Sequence, residues 1–257
     1  MTPANTAARI AAAQLSGLSR SRTLVQAGPF TGLLAPGGPQ FLNYTVAARP
    51  GEPVEDPDEV AAALRVLREA FPEGTLRFEL VDEAAPGAAR ALADAGLSVT
   101  MRVPVMTVTR DALVEPDPAP GVVVSRVTTT EHRLIGDGIA HRAFGGLGEP
   151  VAQAPAPDAR DGGMVLAWVD GTPVAVASWT AVADGVTEVV GIATAEEHRR
   201  QGFGALVTAA ATRVPMAEAD VDLAWLTPGS ADADRVYRQV GYRPVATAVH
   251  LAEEPAL

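Results

Sequence analysis

Six consecutive residues in the second half of the chain combine two arginines with two glycines: Arg199-Arg200-Gln201-Gly202-Phe203-Gly204. An apolar segment with helical patterning follows them. The first four N–H groups of a helix have no internal acceptor, and the helix dipole adds partial positive charge at that end. Glycine has no Cβ, so an anion can approach the backbone closely. The segment therefore predicts a site for a phosphate-like anion at a helix N-terminus.

Two familiar phosphate-binding motifs are excluded by spacing. A P-loop needs a lysine after its second glycine, and the sequence contains no lysine. A Rossmann fingerprint needs a third glycine where Val207 stands, directly after a strand. The alternative that Gly202 and Gly204 merely form a turn stays open, but the arginines before them and the apolar helix behind them favour an anion site.

The segment that leads into this loop has the pattern of an antiparallel meander. Extended apolar stretches are separated by Gly171-Thr172 and Asp184-Gly185, which are typical of hairpin turns. A helix from 202, a strand, a helix and a last strand then follow. The predicted meander strands are 164–170, 173–182 and 186–193, and the later elements are 202–214, 222–226, 231–240 and 242–251.

The loop resembles the acetyl-CoA signature R/Q-x-x-G-x-G/A of the GNAT family of N-acetyltransferases, with Arg199, Gly202 and Gly204 at its three defined positions. Gly191-Ile192-Ala193-Thr194 is similar to the end of that family's fourth strand. The resemblance implies that the backbone of Ile192, Ala193 and Thr194 pairs with the pantetheine arm. It also implies that Arg199 and the backbone N–H groups of the following residues hold the pyrophosphate: Arg200, Gln201, Gly202, Phe203, Gly204 and Ala205.

Two candidate catalytic residues follow from the same resemblance. Tyr237 precedes Gly241-Tyr242 at the spacing of the family's tyrosine, which would lie near the cofactor sulfur and protonate the leaving thiolate. General acid catalysis of this kind contributes roughly 10²–10⁴-fold. Glu188 lies on the strand where the family often has a carboxylate that takes the amine proton. Each has a plain alternative, since Tyr237 could be a packing aromatic and Glu188 could face solvent.

The first half of the chain repeats an order of elements found in the second half but lacks its candidate site residues. The stretch 76–97 reads as strand, helix, glycine and strand, like 223–242, and Leu92 stands where the second half has Tyr237. Asp56 is predicted to cap a helix that begins at Pro57. A proline-rich linker at 115–121 separates the halves. We expect residues 1–118 to form a degenerate GNAT-like region that completes the sheet and walls the acceptor pocket, and 119–257 to form the acetyltransferase domain. Chance similarity between α/β segments is the alternative.

Composition narrows the possible functions. The 257 residues are 47% hydrophobic, enough for one large domain or two small ones. The formal charge of −11 disfavours nucleic-acid binding. There is no cysteine, and the four histidines form no ligand pair, so we expect no metal site. No apolar run is long enough to cross a bilayer, so we expect a cytoplasmic protein, either a monomer or a homodimer.

The order of predicted elements indicates an α/β fold with a mixed sheet, and the resemblance implies the GNAT acyl-CoA N-acyltransferase fold. It also implies acetyl-CoA-dependent N-acetylation of an amine by direct transfer, and we expect a small-molecule amine as the first-choice acceptor and a protein amine as the second. Two rivals are a non-catalytic acetyl-CoA-binding sensor or partner module and a structural relic without cofactor affinity. Candidate walls of the acceptor site are Phe144, Trp179, Tyr44 and the loop at 145–163.

Overall fold

The computed structural model describes residues 2–38, 40–146, 150 and 153–253. The helices are α1 (Pro3–Leu18), α2 (Pro57–Ala70), α3 (Ala88–Asp94), α4 (Thr130–Ala143), α5 (Phe203–Glu218) and α6 (Ala231–Gln239). The strands are β1 (Thr23–Ala27), β2 (Phe30–Leu34), β3 (Tyr44–Ala47), β4 (Arg77–Val81), β5 (Ser98–Thr109), β6 (Val122–Arg126), β7 (Gly163–Val169), β8 (Thr172–Trp179), β9 (Val186–Thr194), β10 (Leu223–Leu226) and β11 (Arg243–Ala252).

The chain forms two compact units. The first comprises Met1–Met106 with Pro244–Leu257, and the second comprises Thr107–Arg243. The predicted division into a degenerate GNAT-like region, 1–118, and an acetyltransferase domain, 119–257, stays a prediction. The α/β fold class with mixed strand pairing is confirmed. None of the described helices is both long and apolar enough to traverse a bilayer.

In the first unit, β1, β2 and β3 form an antiparallel meander, and β3 then pairs in parallel with β4. The C-terminal strand β11 pairs antiparallel with β4. The core on one face of this sheet joins α2 and α3 to Phe78 and Leu80, while Tyr44 and Val46 pack with α1 residues Leu15 and Leu18 in a separate cluster.

Helix α2 begins and packs as the sequence predicts. The Asp56 carboxylate accepts the N–H groups of Asp58 and Glu59, and Pro57 occupies the first turn, where its missing N–H removes no helical hydrogen bond. Val60 and Leu64 on its apolar stripe are buried. The carboxylate therefore satisfies the N-terminus of this helix from within the chain.

In the second unit, β6 to β9 form consecutive antiparallel pairs, and β9 pairs in parallel with β10. The predicted meander is confirmed. Ile139 of α4 clusters with Val176 and Ala193 on one face of the sheet. Thr194, the neighbour of Ala193 on β9, lies beside the beginning of α5, which places α5 on the opposite face.

Two predicted boundaries in this unit are wrong. The first hairpin turn is centred on Asp170-Gly171, one residue early, because both of these residues adopt a positive φ (48° and 81°) and Val169 pairs with Thr172. That conformation is the one a two-residue type I′ turn requires. Helix α5 also continues past Pro215 to Glu218, since the Pro215 carbonyl still accepts the Ala219 N–H at 2.9 Å and Met216 is buried.

The two halves of the chain share one order of elements: β1-β2-β3-α2-β4-α3-β5 in the first half and β7-β8-β9-α5-β10-α6-β11 in the second. In each, the helix before the last strand ends in the same cap. The Leu97 N–H donates to the Leu92 carbonyl at 3.1 Å, and the Tyr242 N–H donates to the Tyr237 carbonyl at 3.0 Å. The intervening glycines have φ of 99° and 102°. This correspondence supports the predicted internal repeat.

Candidate active site

Strand β9 carries a bulge where the site begins. Opposite β8, Val176 pairs with Ala193 and Ser178 pairs with Val190, so β9 uses one more residue than β8 over the same span. Gly191, within the bulge, has φ 62°. On the other side of β9, the parallel ladder to β10 has its last pair at Glu188 and Trp225. The segment 189–194 therefore continues past that ladder, and within the described residues no strand pairs with its edge towards β10, which is open to a ligand.

The N-terminus of α5 is organised differently from those of α2, α4 and α6. Side chains cap those helices through Asp56, Thr129 and Ser230. Gly202 stands at the N-cap of α5 with φ 88°, and no side chain among the described residues caps this end. The Ala205 N–H donates to the Gly202 carbonyl at 3.1 Å. Because no side chain fills the cap position, the N–H groups of Phe203 and Gly204 before it can bind an external anion.

The glycines of the loop leave space that a side chain would occupy. A Cβ built on Gly202 would have no described atom within 4 Å. A Cβ on Gly204 would lie 3.7 Å from Val236 Cγ1 and 4.0 Å from Thr194 Oγ1. Gly204 thus brings the end of β9, the beginning of α5 and the helix that carries Tyr237 together.

The polar residues of the loop are exposed. Arg199 Nε lies 3.5 Å from the Thr194 carbonyl oxygen, and Gln201 Nε2 donates to the Glu197 carbonyl at 3.3 Å. Arg200 holds a φ of 63°, uncommon for a residue with a side chain. Within the described part of the chain, neither Arg199 nor Arg200 pairs with a carboxylate. Both charges are therefore available to a ligand.

Tyr237 lies on α6 with 7% of its surface exposed. Burial raises the pKa of its phenol to about 12. Its ring contacts that of Tyr242, with centroids 6.4 Å apart and planes at 57°. The phenol is therefore neutral and able to donate a hydrogen bond throughout the physiological pH range.

Glu188 is half-buried on β9. Its N–H donates to Thr180 Oγ1 at 3.1 Å, which fixes its backbone. Successive strand residues alternate in direction, and Val190, two residues on, is opposite Ser178 on the face where Val176 packs with α4. Glu188 thus belongs to the α4 face of β9, across the strand from α5. The structure does not group it with the residues of the anion loop.

Four other predicted site residues differ in how far their side chains are exposed. The Ala193 side chain is buried in the α4 core, so its backbone alone can meet a ligand. Phe203 is buried, and its ring lies 6.1 Å from that of His198. Ile192 is half-buried in the bulge, and Ala205 is buried on α5.

Of the candidate acceptor-site walls, Trp179 is a core residue. It is 3% exposed, and its Nε1 donates to the Ala159 carbonyl at 2.9 Å. Tyr44 is buried in the first unit. Phe144 is 68% exposed at the end of α4. Residues 147–149, 151 and 152 of the predicted loop lie outside the described residues. No group of three or more potential metal ligands occurs in the described part of the chain.

Two features of the site were not predicted from sequence. One is the β9 bulge, for which Gly191 inside an apolar strand was an available signal. The other is a hydrogen bond of 2.7 Å between Tyr242 and Thr212 on α5. Its signal was the pair of hydroxyl residues Thr208 and Thr212, spaced i, i+4 in an otherwise apolar helix.

Known proteins match the chain at the level of both sequence and fold. A family model described as FR47-like protein matches residues 165–251. A GCN5-related N-acetyltransferase from Kribbella flavida is 47% identical over 97% of this chain and 96% of its own, with a TM-score of 0.87. A GCN5-related N-acetyltransferase from Sphaerobacter thermophilus is 15% identical over 100% of this chain and 95% of its own, with a TM-score of 0.64.

A third structure matches this chain in fold. A tandem GNAT protein from the clavulanic acid biosynthesis pathway is 14% identical over 89% of this chain and 79% of its own, with a TM-score of 0.56. At such identity the likeness concerns the fold alone. None of the curated protein sequences compared with this chain matches it. The identity to the Kribbella flavida protein over nearly the full length of both chains shows that this chain belongs to the GCN5-related N-acetyltransferase (GNAT) family of acyltransferases.

Proposed function

We propose that this protein is an acetyl-CoA-dependent N-acetyltransferase that transfers the acetyl group directly to an amine of a small molecule. The observation that carries the proposal is the N-terminus of α5. It has no side-chain cap, begins at a glycine of φ 88°, and follows two arginines that pair with no described carboxylate.

The pyrophosphate of acetyl-CoA fits this position. Its negative charge is stabilised by the helix dipole and by the N–H groups of the first turn. Open space at Gly202 allows the phosphates to reach the backbone of residues 200–205. Arg199 and Arg200 add two positive charges in a chain whose net charge is −11. The loop thus supplies local attraction that the protein as a whole lacks.

The pantetheine arm then follows the open edge of β9. An amide-bearing arm can pair with strand backbone as an added strand would, through residues 192–194. This arrangement carries the thioester from the α5 N-terminus along β9, in the direction of the bulge at Gly191.

Tyr237 is proposed to donate a hydrogen bond to the leaving sulfur. The amine nitrogen forms a bond to the thioester carbonyl carbon, and the carbon–sulfur bond breaks to release the thiolate. With a pKa of about 12, Tyr237 keeps its proton at pH 7. A thiol has a pKa of about 8.5, so complete transfer from Tyr237 would be uphill by roughly three to four powers of ten. Tyr237 therefore stabilises the thiolate by donation, and solvent supplies its final proton.

Glu188 is proposed to take the proton from the attacking amine, directly or through water. Only the neutral amine has a lone pair for attack, so an acceptor that arrives as an ammonium ion must lose a proton first. The position of Glu188 on the α4 face of β9 separates it from the pyrophosphate loop. This separation supports a role at the acceptor, whose amine a carboxylate also attracts.

The first unit is proposed to be a degenerate copy that holds no second acetyl-CoA. Its helix α2 corresponds in order to α5, but Asp56 already occupies the helix N-terminus and Asp58 and Glu59 follow in the first turn. Three carboxylates there would repel a pyrophosphate. Leu92 replaces the catalytic tyrosine at the equivalent cap.

An assay of thiol release tests the proposal. The protein is incubated with acetyl-CoA and a panel of polyamines, amino sugars and aminoacyl amines, and free CoA is measured. Turnover on at least one amine, greatly reduced in Tyr237→Phe, is expected. If acetyl-CoA stabilises the folded protein against unfolding but no amine is turned over, a non-catalytic acetyl-CoA-binding module would be favoured. No stabilisation at millimolar acetyl-CoA would contradict both readings, because a ligand of the native state must stabilise it.

A further inference from the structure

Tyr242, the residue after Gly241, is fully buried and bonded to α5. Its hydroxyl oxygen lies 2.7 Å from Thr212 Oγ1. Thr212 Oγ1 also donates to the Thr208 carbonyl at 2.8 Å. A hydroxyl has one hydrogen, so the hydrogen of Thr212 is used in that bond. Tyr242 must therefore be the donor to Thr212, and its phenol orientation is fixed.

The hydrogen bonds continue towards the anion loop. The Thr208 hydroxyl donates to the Gly204 carbonyl at 2.7 Å. Thr208 and Thr212 are both completely buried. Three hydroxyl hydrogen bonds thus lie between Tyr242 and the first turn of α5, and they are joined at Thr208 through its backbone, because the bond from Thr212 ends on the Thr208 carbonyl and the next begins at the Thr208 hydroxyl.

Tyr242 also contacts Tyr237 through both its backbone and its ring. Its N–H donates to the Tyr237 carbonyl at 3.0 Å, and its ring lies against the Tyr237 ring at a centroid distance of 6.4 Å. Burial raises the pKa of Tyr242, the hydrogen bond with Thr212 lowers it, and the neighbouring Tyr237 raises it. The two phenols are therefore close enough to interact electrostatically.

The first unit shows that the helix cap itself needs neither phenol. There, Leu92 and Leu97 form the same bond across Gly96, and both leucines are buried. A buried hydroxyl costs free energy unless it is hydrogen-bonded, whereas a leucine carries no such cost. The tyrosine pair in the second unit therefore has a role other than closing the helix.

We propose that Tyr242 is a positioning residue that fixes the Tyr237 phenol at the sulfur of bound CoA and couples it, through Thr212 and Thr208, to the loop that holds the pyrophosphate. This inference rests on the proposed function, since it concerns the same site. Catalytic groups act when their rotamers are held by packing and by hydrogen bonds from residues behind them.

The test uses CoA itself and needs no acceptor. The full-length protein is saturated with CoA, and the ionisation of the bound thiol is followed by the ultraviolet absorbance of its thiolate, with desulfo-CoA as the blank. Tyr237→Phe, Tyr242→Phe and the double variant are compared with the wild type. Tyr242→Phe keeps the ring and removes one hydroxyl. Thr212→Val removes the acceptor of that hydroxyl and serves as a second variant.

Donation from Tyr237 stabilises the thiolate, so Tyr237→Phe is expected to lower the acid dissociation constant of the bound thiol about tenfold. We expect Tyr242→Phe and Thr212→Val to lower it about threefold, and Tyr242→Phe to have no further effect in the Tyr237→Phe background. Thr31→Val serves as the matched control. It also removes one buried hydroxyl, which bonds Gln26 Oε1 at 3.1 Å in the first unit, and is expected to leave the thiol unchanged.

A thiol that responds to Tyr237→Phe but not to Tyr242→Phe would overturn the positioning role and leave the proposed function standing. Equal effects of Tyr242→Phe in both backgrounds would also overturn it, because the coupling to Tyr237 would be absent. A thiol whose ionisation is unchanged in Tyr237→Phe would overturn it together with the proposed hydrogen bond from Tyr237 to the sulfur. Failure of CoA to bind at all would instead contradict the proposed function, and the inference with it.

Discussion

Asp56 and Gly202 occupy the same place in the two halves of the chain, the N-cap of the helix that follows an antiparallel meander. The Asp56 carboxylate accepts the N–H groups of Asp58 and Glu59, at 2.9 and 3.4 Å. Gly202 offers no side chain, and the first turn of its helix remains open to an anion. One helix end is closed from within, and the other is available to a ligand.

The charge at this position can be tested directly. Gly202→Asp places a carboxylate where the pyrophosphate is proposed to bind, whereas Gly202→Asn has nearly the same shape without the charge. Both strain a backbone at φ 88°, and both residue types tolerate that region better than most. Calorimetry with CoA should show affinity at least tenfold weaker for Gly202→Asp than for Gly202→Asn. Equal affinities would contradict the anion site.

The two arginines should make CoA binding depend on salt. Arg199→Gln and Arg200→Gln each remove one exposed charge, and each is expected to weaken CoA binding severalfold at low ionic strength. The losses should shrink as salt rises, because exposed charges are screened. Titration of CoA at several salt concentrations measures this. Arg90→Gln, an exposed arginine paired with Asp94 on α3, is the control and should change nothing.

Gly96 and Gly241 occupy corresponding helix ends, so substitutions there compare how closely each end is packed. Gly96 and Gly241 have nearly equal φ, 99° and 102°. Alanine at Gly96 meets no described atom within 4 Å and should cost about 1 kcal/mol of folding free energy, from backbone strain alone. Alanine at Gly241 would collide with the Ala112 carbonyl oxygen and should cost about 3 kcal/mol. Urea denaturation compares the two, and equal losses would refute the account of the Gly241 packing.

Glu79 predicts a pH dependence of stability in the first unit. Burial raises the pKa of its carboxyl from 4.5 to about 7, against the opposing effect of Arg77 and Arg22. A raised folded-state pKa means that its stability contribution is complete below pH 4.5 and is lost as pH rises through about 7. Glu79→Gln, which cannot ionise, should thus gain about 3 kcal/mol over the wild type at pH 8 relative to pH 4.

Thermal or urea unfolding at the two pH values measures the effect of Glu79→Gln. Glu73→Gln, an exposed carboxylate of the same unit, should show no such difference. A Glu79→Gln protein with the pH dependence of the wild type would contradict this account, because it would mean that folding leaves the pKa of the Glu79 carboxyl unchanged.

The sequence predicted most of the fold because it contains clear signals for the beginnings and ends of helices and for turns. Asp56-Pro57 fixes the start of α2, and glycines mark the hairpins and the ends of α3 and α6. Its errors came from tertiary effects. Helix α5 was predicted to end before Pro215, but it continues through that residue and buries Met216. The first hairpin turn moved by one residue because Asp170 tolerates the left-handed conformation.

Less of the candidate site than of the fold could be predicted from the sequence. The loop at 199–204 has a local signature, since the chemistry of a helix N-terminus depends on adjacent residues. The bond between Thr212 and Tyr242 joins residues 30 positions apart, and no local pattern pairs them. The face on which Glu188 lies depends on the register of β9 against β8, which a bulge alters.

Hydrogen exchange with and without CoA tests the central claim most directly. The account predicts that saturating CoA slows amide exchange in peptides covering 192–206, which include the end of β9 and the first turn of α5. Peptides covering 48–60, with the self-capped start of α2, should exchange at the same rate in both samples. Unchanged exchange at 192–206 under saturating CoA, or protection centred on 48–60, would contradict the account.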